Sequence, residues 1–167
     1  MELYFLRHAI AAEPGTVHVA HDSERPLTAE GIEIMQKAAD GMRRMGLNVD
    51  HVVSSPYLRA SETAQIVVEK IAFKGKVVFS DALTPDAKFK DFFKLLKEFK
   101  PNEKVLFVGH MPSVGEYVST LVFGRGTPAM DYKKGGLCRV DVPEVLTTGV
   151  LGQLEWFLTP KQLCMID

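Results

Sequence analysis

Several signatures that would assign the chain to common functional classes are missing from its 167 residues. The two cysteines, Cys138 and Cys164, form neither a CxxC pair nor a zinc-ligand spacing, so we expect no disulfide framework. The net charge of −1 excludes a broad basic field, and we expect no nucleic-acid partner. No apolar run reaches membrane-spanning length, and residues 1–3 lead directly into a strand-like run rather than a signal peptide. We therefore expect a cytoplasmic protein without a membrane partner.

Common nucleotide-binding and metal-binding motifs are missing as well. The chain has neither a G-x-x-x-x-G-K-[ST] loop nor a G-x-G-x-x-G loop, so nucleotide binding has no support. Its five histidines form no i, i+4 pair on one helix and no HExxH motif. His18 and His21 lie three residues apart, but in a loop without cysteines or clustered carboxylates to complete a ligand set. We predict no metal site.

What is present is the composition of an ordinary globular domain. Hydrophobic residues make up 46% of the chain and charged residues 25%, and the length suits a single domain spanning residues 1–167. Short apolar runs alternate with helical patterns. This alternation predicts an α/β fold whose mostly parallel central sheet has helices on both faces. Short connections between the later strands allow an antiparallel edge.

The predicted elements follow from local patterns. The predicted strands cover residues 2–6, 51–53, 76–79, 104–108, 136–142 and 152–157. The predicted helices cover residues 28–45 with Thr28 as the N-cap, 55–71 with Pro56 in the first turn, 89–99 and 112–123. Apolar positions Ile32, Met35, Ala39 and Met42 mark the inner face of the first helix. An aromatic stripe marks the third helix, and such a stripe indicates core rather than a binding surface.

Two histidines follow buried strands. Arg7-His8 comes after the apolar run 3–6, and His110 comes after the run 105–108. Both imidazoles are therefore expected at strand ends, where α/β proteins place their ligands. A neutral imidazole is a competent nucleophile toward phosphorus, and a neighbouring positive charge keeps its pKa from rising.

An arginine follows the second predicted strand. If Pro56 is the first helical position, Arg59 lies in the first turn beside unpaired backbone N–H groups that bind anions, and Ser54 and Ser55 could add hydroxyl donors. The alternative is an ion pair between Arg59 and Glu62 or a nearby aspartate. An arginine side chain matches phosphate oxygens with a planar fork of donors. Two arginines and two histidines that converge predict a phosphoryl-transfer enzyme with a histidine nucleophile.

Four segments, in this order and at this spacing, resemble the histidine phosphatase (phosphoglycerate mutase-like) superfamily. They are residues 6–9 (LRHA), 26–31 (PLTAEG), 54–64 (SSPYLRASETA) and 108–112 (VGHMP). The short length, together with residues 25–28 (RPLT) and 83–85 (LTP), looks most like the SixA branch, the phosphohistidine phosphatases.

This resemblance implies a three-layer α/β/α fold with the site at the strand ends. His8 would become transiently phosphorylated, while Arg7, Arg59 and His110 would bind the phosphoryl oxygens. No metal and no organic cofactor would be needed. The substrate would be a phosphohistidine-containing protein, such as a phosphotransfer domain or a phosphocarrier, and phosphate would be released.

The chain departs from the family pattern at three positions. Ala9 replaces the usual glycine after the nucleophile, and Met111 replaces a common asparagine. Most of the superfamily has a glutamate or aspartate after the third strand as general acid, whereas this chain has Pro85 near that place. If an acid exists, Asp22 is the first candidate and Asp86 the second.

The missing acid bears on the substrate. An alcohol leaving group gains about 10²–10⁴-fold from a proton donor, whereas an imidazole nitrogen can carry the proton before the P–N bond breaks. The sequence therefore favours phosphohistidine, although Asp22 is equally suited to be a turn residue or the partner of Arg25. Two alternatives stay open: a phosphatase or mutase of small phosphate esters, and a non-catalytic module that binds phosphorylated ligands.

Overall fold

The computed structural model describes residues 1–124, 130–143 and 152–167. The strands are β1 (Glu2–Arg7), β2 (His51–Ser54), β3 (Val77–Phe79), β4 (Lys104–Gly109), β5 (Leu137–Asp141) and β6 (Gln153–Leu158). The helices are α1 (Ala29–Arg44), α2 (Leu58–Lys70), α3 (Phe89–Leu96), α4 (Ser113–Phe123) and α5 (Pro160–Leu163).

The six strands form one sheet in the order β3-β2-β4-β1-β5-β6. The four strands β1 to β4 pair in parallel with one another. β5 is antiparallel to both of its neighbours, β1 and β6. The prediction of a mostly parallel sheet with antiparallel pairing among the later strands is confirmed.

Helices cover both faces of this sheet. Along β1, Leu3 and Phe5 belong to a core shared with α3 and α4, whereas Tyr4 and Leu6 belong to a second core shared with α1, α2 and α5. Successive side chains of a strand point to opposite faces, so a strand covered on both sides needs an unbroken apolar run. The fold is the predicted three-layer sandwich.

Helix α1 forms as its cap and apolar spacing predict, with one exception. The Thr28 side chain accepts a hydrogen bond from the Gly31 N–H at 2.9 Å, and Met35 and Met42 are buried. Ile32, predicted to lie on the same face, is 37% exposed. The buried residues of α1 are Gly31, Met35, Ala38, Ala39, Gly41 and Met42. At 3.6 residues per turn, Ile32 lies at the edge of the face that they form.

Helix α2 begins at Leu58, three residues after the predicted start at residue 55. Tyr57 has extended backbone angles (φ −63°, ψ 134°) and is the N-cap, so Pro56 precedes the helix. The Ser55 hydroxyl accepts a hydrogen bond from the Tyr57 N–H at 3.3 Å, which closes a turn before the first helical residue. Arg59 is therefore the second residue of α2.

The aromatic stripe of α3 is core, as predicted. Phe92 is fully buried and stacks on Tyr117 of α4 with ring centroids 4.4 Å apart and planes 9° from parallel. The helix ends at Leu96, earlier than predicted, while Phe99 still packs against the same core.

Candidate active site

The candidate site lies at the carboxyl ends of three neighbouring parallel strands, β1, β4 and β2. The His8 N–H donates to the Gly109 carbonyl at 2.9 Å, which ties the end of β1 to the end of β4. The Ser55 N–H donates to the Val108 carbonyl at 2.9 Å, which ties β2 to the other side of β4. The ring centroids of His8 and His110 lie 4.9 Å apart as a result. The two imidazoles that the sequence places at strand ends therefore meet.

A cleft of about 290 Å³ opens over these strand ends. Its lining includes the five residues that the sequence singles out for the chemistry: Arg7, His8, Asp22, Arg59 and His110. It also includes Glu13, Arg25, Pro85, Met111 and Lys134. Asp86, the second candidate acid, is exposed and does not belong to the lining.

His8 is held as a neutral imidazole with one free nitrogen. Its Nδ1 lies 2.7 Å from the Ala9 carbonyl oxygen, which can only accept, so Nδ1 carries the hydrogen and Nε2 keeps its lone pair. The Ala9 N–H in turn donates to the Thr63 hydroxyl at 3.0 Å, which anchors this turn to α2. Burial lowers the pKa of His8 to about 3, and the charges of Arg59 and Arg7 add to that effect against the Ala9 hydrogen bond. Near neutral pH, His8 is an uncharged base.

His110 lies deeper, with 1% of its surface exposed. Its Nε2 is 2.9 Å from the Ser55 hydroxyl, and its Nδ1 is buried without a hydrogen-bond partner among the described residues. Burial lowers the pKa of His110 to about 2, with further contributions from His8 and Arg59. The rings of His110 and Tyr57 form a T-shaped pair with centroids 5.1 Å apart. This imidazole is neutral as well.

The two serines of the SSP segment are engaged inside the protein. The Ser54 hydroxyl donates to the Ser55 carbonyl at 2.9 Å, and the Ser55 hydroxyl contacts His110. Both side chains are fully buried. The structure thus links Ser55 to the imidazole, whereas the sequence indicates only a hydroxyl near the phosphate.

The two arginines reach the cleft with part of their donors unused. Nη1 of Arg7 donates to the Tyr132 carbonyl at 2.6 Å, and both Nη atoms of Arg59 donate to Asp22. The Nε atom of each arginine is buried without a partner within the described parts of the chain. Buried N–H groups are rarely left unpaired, and guanidinium donors bind phosphate oxygens strongly. The site is therefore suited to bind an anion.

Asp22 is the ion-pair partner of Arg59, whereas the sequence suggests Glu62 or an unspecified nearby aspartate as that partner. Asp22 also pairs with Arg25, as the sequence allows. Glu62 instead accepts the Leu27 N–H at 2.7 Å. Partial burial raises the pKa of Asp22, but hydrogen bonds from Arg25 and Arg59 outweigh that effect and hold it below the usual range. An ionised carboxylate has no proton to donate, so this arrangement weighs against an acid role. That role stays an untested prediction.

Lys134 and Glu13 belong to the cleft, although the sequence does not identify them. The Gly135 N–H, at a positive φ of 79°, donates to the carbonyls of Arg7 (3.0 Å) and His8 (3.1 Å). This turn brings the Lys134 ammonium to 3.5 Å from the Glu13 carboxylate. No local pattern could identify the pair, because it forms only when the turn docks on the end of β1.

Two other kinds of feature do not occur in the described part of the chain. No three histidine, cysteine, aspartate or glutamate side chains come together there as a metal site would require. No helix there has the length and apolar character needed to span a bilayer. The predictions of a reaction without a metal and of a cytoplasmic location stay predictions.

Comparison with known sequences connects this cleft to a family. A family model for the histidine phosphatase superfamily (branch 1) matches residues 3–84, a range that includes Arg7, His8 and Arg59. The chain is 34% identical over 139 residues to an uncharacterized protein of Picosynechococcus sp., covering 82% of each chain. It is 27% identical over 167 residues to the phosphohistidine phosphatase SixA of Escherichia coli K12, covering 99% of this chain and 98% of that protein.

Comparison with solved structures gives the same family as the comparison of sequences. The structure of the protein histidine phosphatase SixA complexed with tungstate matches with a TM-score of 0.84 at 26% identity, covering 98% of this chain and 99% of that chain. SixA proteins are thus neighbours of this chain both in sequence and in fold. Together, the sequence match, the fold and the site motifs show that the chain belongs to the histidine phosphatase superfamily.

Proposed function

We propose that this phosphatase removes phosphate from phosphohistidine on a protein partner, such as a phosphotransfer domain or a phosphocarrier, through a phosphorylated His8. One observation carries the proposal. A neutral His8 with a free Nε2 lies among donors of Arg7, Arg59 and His110 that have no protein partner in the described residues. A buried donor left unpaired costs about 1–3 kcal/mol, and a phosphoryl group would satisfy these donors.

In the first step, Nε2 of His8 attacks phosphorus in line with the leaving nitrogen. The new Nε2–P bond forms as the substrate P–N bond breaks, and the electron pair leaves with the protonated substrate imidazole. The hydrogen bond from His8 Nδ1 to the Ala9 carbonyl stabilises the positive charge that His8 acquires. Arg7 and Arg59 stabilise the negative charge on the phosphoryl oxygens.

His110 supplies a further hydrogen bond to the phosphoryl group. If the Ser55 hydroxyl donates to Nε2 of His110, the hydrogen of this neutral ring is on Nδ1, the nitrogen without a protein partner among the described residues. The Tyr57 N–H supports this direction because it already donates to the Ser55 oxygen. Nδ1 then donates to an oxygen whose charge grows in the transition state.

In the second step, water attacks phospho-His8. The Nε2–P bond breaks with its electron pair on Nε2, a proton of the water ends on the phosphate, and neutral His8 returns. Because burial lowers the pKa of His8 to about 3, the released imidazole then stays in the neutral form that the next cycle needs.

The carboxylates of the cleft favour phosphohistidine over esters. Glu13 pairs with Lys134, and Asp22 pairs with Arg59 and Arg25, so both carboxylates have cationic partners. Pro85 lines the cleft near the place where the family pattern has an acid. An alcohol leaving group loses about 10²–10⁴-fold without a proton donor, whereas a protonated imidazole does not need one.

The decisive experiment compares phosphate release from a phosphohistidine protein with release from a panel of sugar and aryl phosphates. We expect faster release from phosphohistidine, and a phosphoenzyme that denaturation at alkaline pH, where the P–N bond is stable, traps in the wild type but not in His8→Asn. Faster release from esters would identify an ester phosphatase or a mutase instead. Phosphate or vanadate binding without turnover of any substrate would identify a binding module.

The same assay tests whether a metal is required. We expect unchanged rates after treatment with a chelator, because the proposed chemistry uses only side chains. A loss that a divalent cation restores would contradict this part of the proposal.

A further inference from the structure

We propose that Asp22 is a positioning residue, which holds the Arg59 guanidinium so that its remaining N–H groups face the phosphoryl oxygens. The inference deepens the proposed function, since it rests on phosphoryl transfer at this cleft. It assigns Asp22 a task different from that of a general acid.

Some of the N–H donors of Arg59 bond to Asp22 and others stay free of it. A guanidinium carries five N–H donors in a rigid plane. Nη1 donates to the main-chain oxygen of Asp22 at 2.8 Å, and Nη2 donates to its Oδ2 at 2.9 Å. Of the donors that stay free of Asp22, the Nε–H is buried without a partner among the described residues. Two bonds to one residue fix the plane, so the direction of the free donors is fixed as well.

Asp22 is itself held in place by hydrogen bonds around it. Its Oδ1 accepts from Nε of Arg25 at 2.7 Å, and Nη1 of Arg25 donates to the Ala12 carbonyl at 2.5 Å. The short turn that carries Asp22 is closed by Glu24, whose carboxylate accepts the His21 N–H at 3.1 Å. An exposed aspartate with such supports can orient a buried arginine, although 54% of its own side chain is exposed.

A purely electrostatic role of Asp22 predicts the opposite change in phosphate affinity from a positioning role. A carboxylate beside an anion site repels the bound anion, so removing its charge by itself strengthens phosphate binding. Loss of positioning has the opposite effect, because Arg59 then adopts orientations that do not meet the phosphoryl oxygens. The phosphate affinity of an Asp22 variant therefore distinguishes the two effects: loss of positioning weakens binding, whereas loss of the charge alone strengthens it.

The experiment uses the full chain with Asp22→Ala and Asp22→Asn. The first measurement is the dissociation constant of inorganic phosphate, which does not depend on the natural substrate. We expect Asp22→Ala to weaken phosphate binding and to lower kcat/KM by roughly 10- to 100-fold, as small misplacements in active sites do. Asp22→Asn recovers part of the loss, because its amide oxygen still accepts a hydrogen bond from Arg59.

The second measurement is kcat/KM for aryl phosphates whose leaving groups differ in pKa. A positioning residue lowers all of these values by a similar factor, whereas the loss of a general acid grows with the pKa of the leaving group. Asp91→Asn is the matched control, because it removes another exposed aspartate that pairs with a cation, Lys94, on α3. Thermal unfolding shows that each variant is folded.

Two results would overturn the inference: phosphate binding that is unchanged or tighter in Asp22→Ala, and a loss of kcat/KM that grows with leaving-group pKa. Neither result depends on whether phosphohistidine is the natural substrate. A phosphatase that prefers esters but binds phosphate weakly after Asp22→Ala would contradict the proposed substrate and leave the positioning role intact.

Discussion

Both ends of the central sheet have charged side chains of both signs. They differ in whether their buried polar atoms have hydrogen-bond partners. At the end where β1 starts, a cavity of about 610 Å³ exceeds the 290 Å³ cleft at the other end. Two ion pairs lie beside the larger cavity: Nε and Nη2 of Arg139 each donate to an Asp141 oxygen at 2.7 Å, and Lys104 contacts Glu2 at 3.3 Å.

The cleft end has unsatisfied polar atoms instead. Four buried side-chain nitrogen or oxygen atoms lack a partner in the described residues, and three of them belong to Arg7, Arg59 and His110 in the cleft. The fourth is the hydroxyl of Ser119 in α4. Buried unpaired donors are costly, and they persist where a ligand completes them. Unsatisfied donors, rather than cavity size, therefore distinguish the end that carries the cleft.

The histidines at the two ends of the sheet also differ in their burial. His51, at the start of β2, is 42% exposed at its side chain and lies 3.3 Å from Glu103. His8 and His110, at the opposite end, are buried, and their pKa values are lowered to about 3 and about 2. Paired variants at the two ends test whether function depends on this difference.

The largest effect is expected from His8→Asn. Asparagine preserves polarity and approximate size but is no nucleophile, so phosphoenzyme disappears and turnover falls by at least about 10³-fold. His51→Asn, at the opposite end, leaves turnover unchanged. Quenched phosphate-release assays on both variants measure the difference, and turnover retained in His8→Asn would rule out the nucleophile assignment.

A smaller effect is expected from Arg59→Lys. Lysine keeps the charge but loses the planar fork, so kcat/KM falls by roughly 10²–10³-fold. Arg139→Lys makes the same change in the surface ion pair with Asp141, and we expect it to leave steady-state kinetics unchanged. Equal kinetic losses in the two variants would contradict the contrast between the ends.

The buried histidines make stability depend on pH. Because folding lowers the pKa of His8 from 6.5 to about 3, the unfolded state binds more protons between these values, and stability is lost as the pH falls through this window. Between pH 7 and pH 4.5, the free energy of unfolding of the wild type should decrease by about 1–3 kcal/mol more than that of His8→Asn. Urea unfolding at several pH values measures this, and parallel pH profiles would refute it.

The smallest effect is expected from Ser55→Ala. This variant removes the hydroxyl 2.9 Å from His110, and one hydrogen bond of about 0.5–1.5 kcal/mol corresponds to a loss of roughly 2- to 10-fold in kcat/KM. Ser119→Ala removes another buried hydroxyl, but one without a hydrogen-bond partner in the described residues. It should leave kinetics unchanged without destabilising the fold. A larger kinetic loss in Ser119→Ala than in Ser55→Ala would contradict this assignment.

The sequence by itself determines the strands, most helix positions and the four residues Arg7, His8, Arg59 and His110 that come together in the cleft. The reason is that these features are encoded locally. Apolar runs define strands covered on both faces, and a residue that follows such a run lies at a strand end. The start of α2 and the four-residue α5 escaped prediction, because a turn closed by a serine side chain and a helix of a single turn have no periodicity to detect.

Only the tertiary structure decides how these residues are held. The pairing of Asp22 with Arg59, the contact of Ser55 with His110 and the docking of the Lys134 turn on β1 join segments far apart along the chain. Such contacts arise from strand order and loop packing, which leave no repeating pattern in the sequence. The lowered pKa values of His8 and His110 have the same origin, because burial and neighbouring charges exist only after the chain has folded.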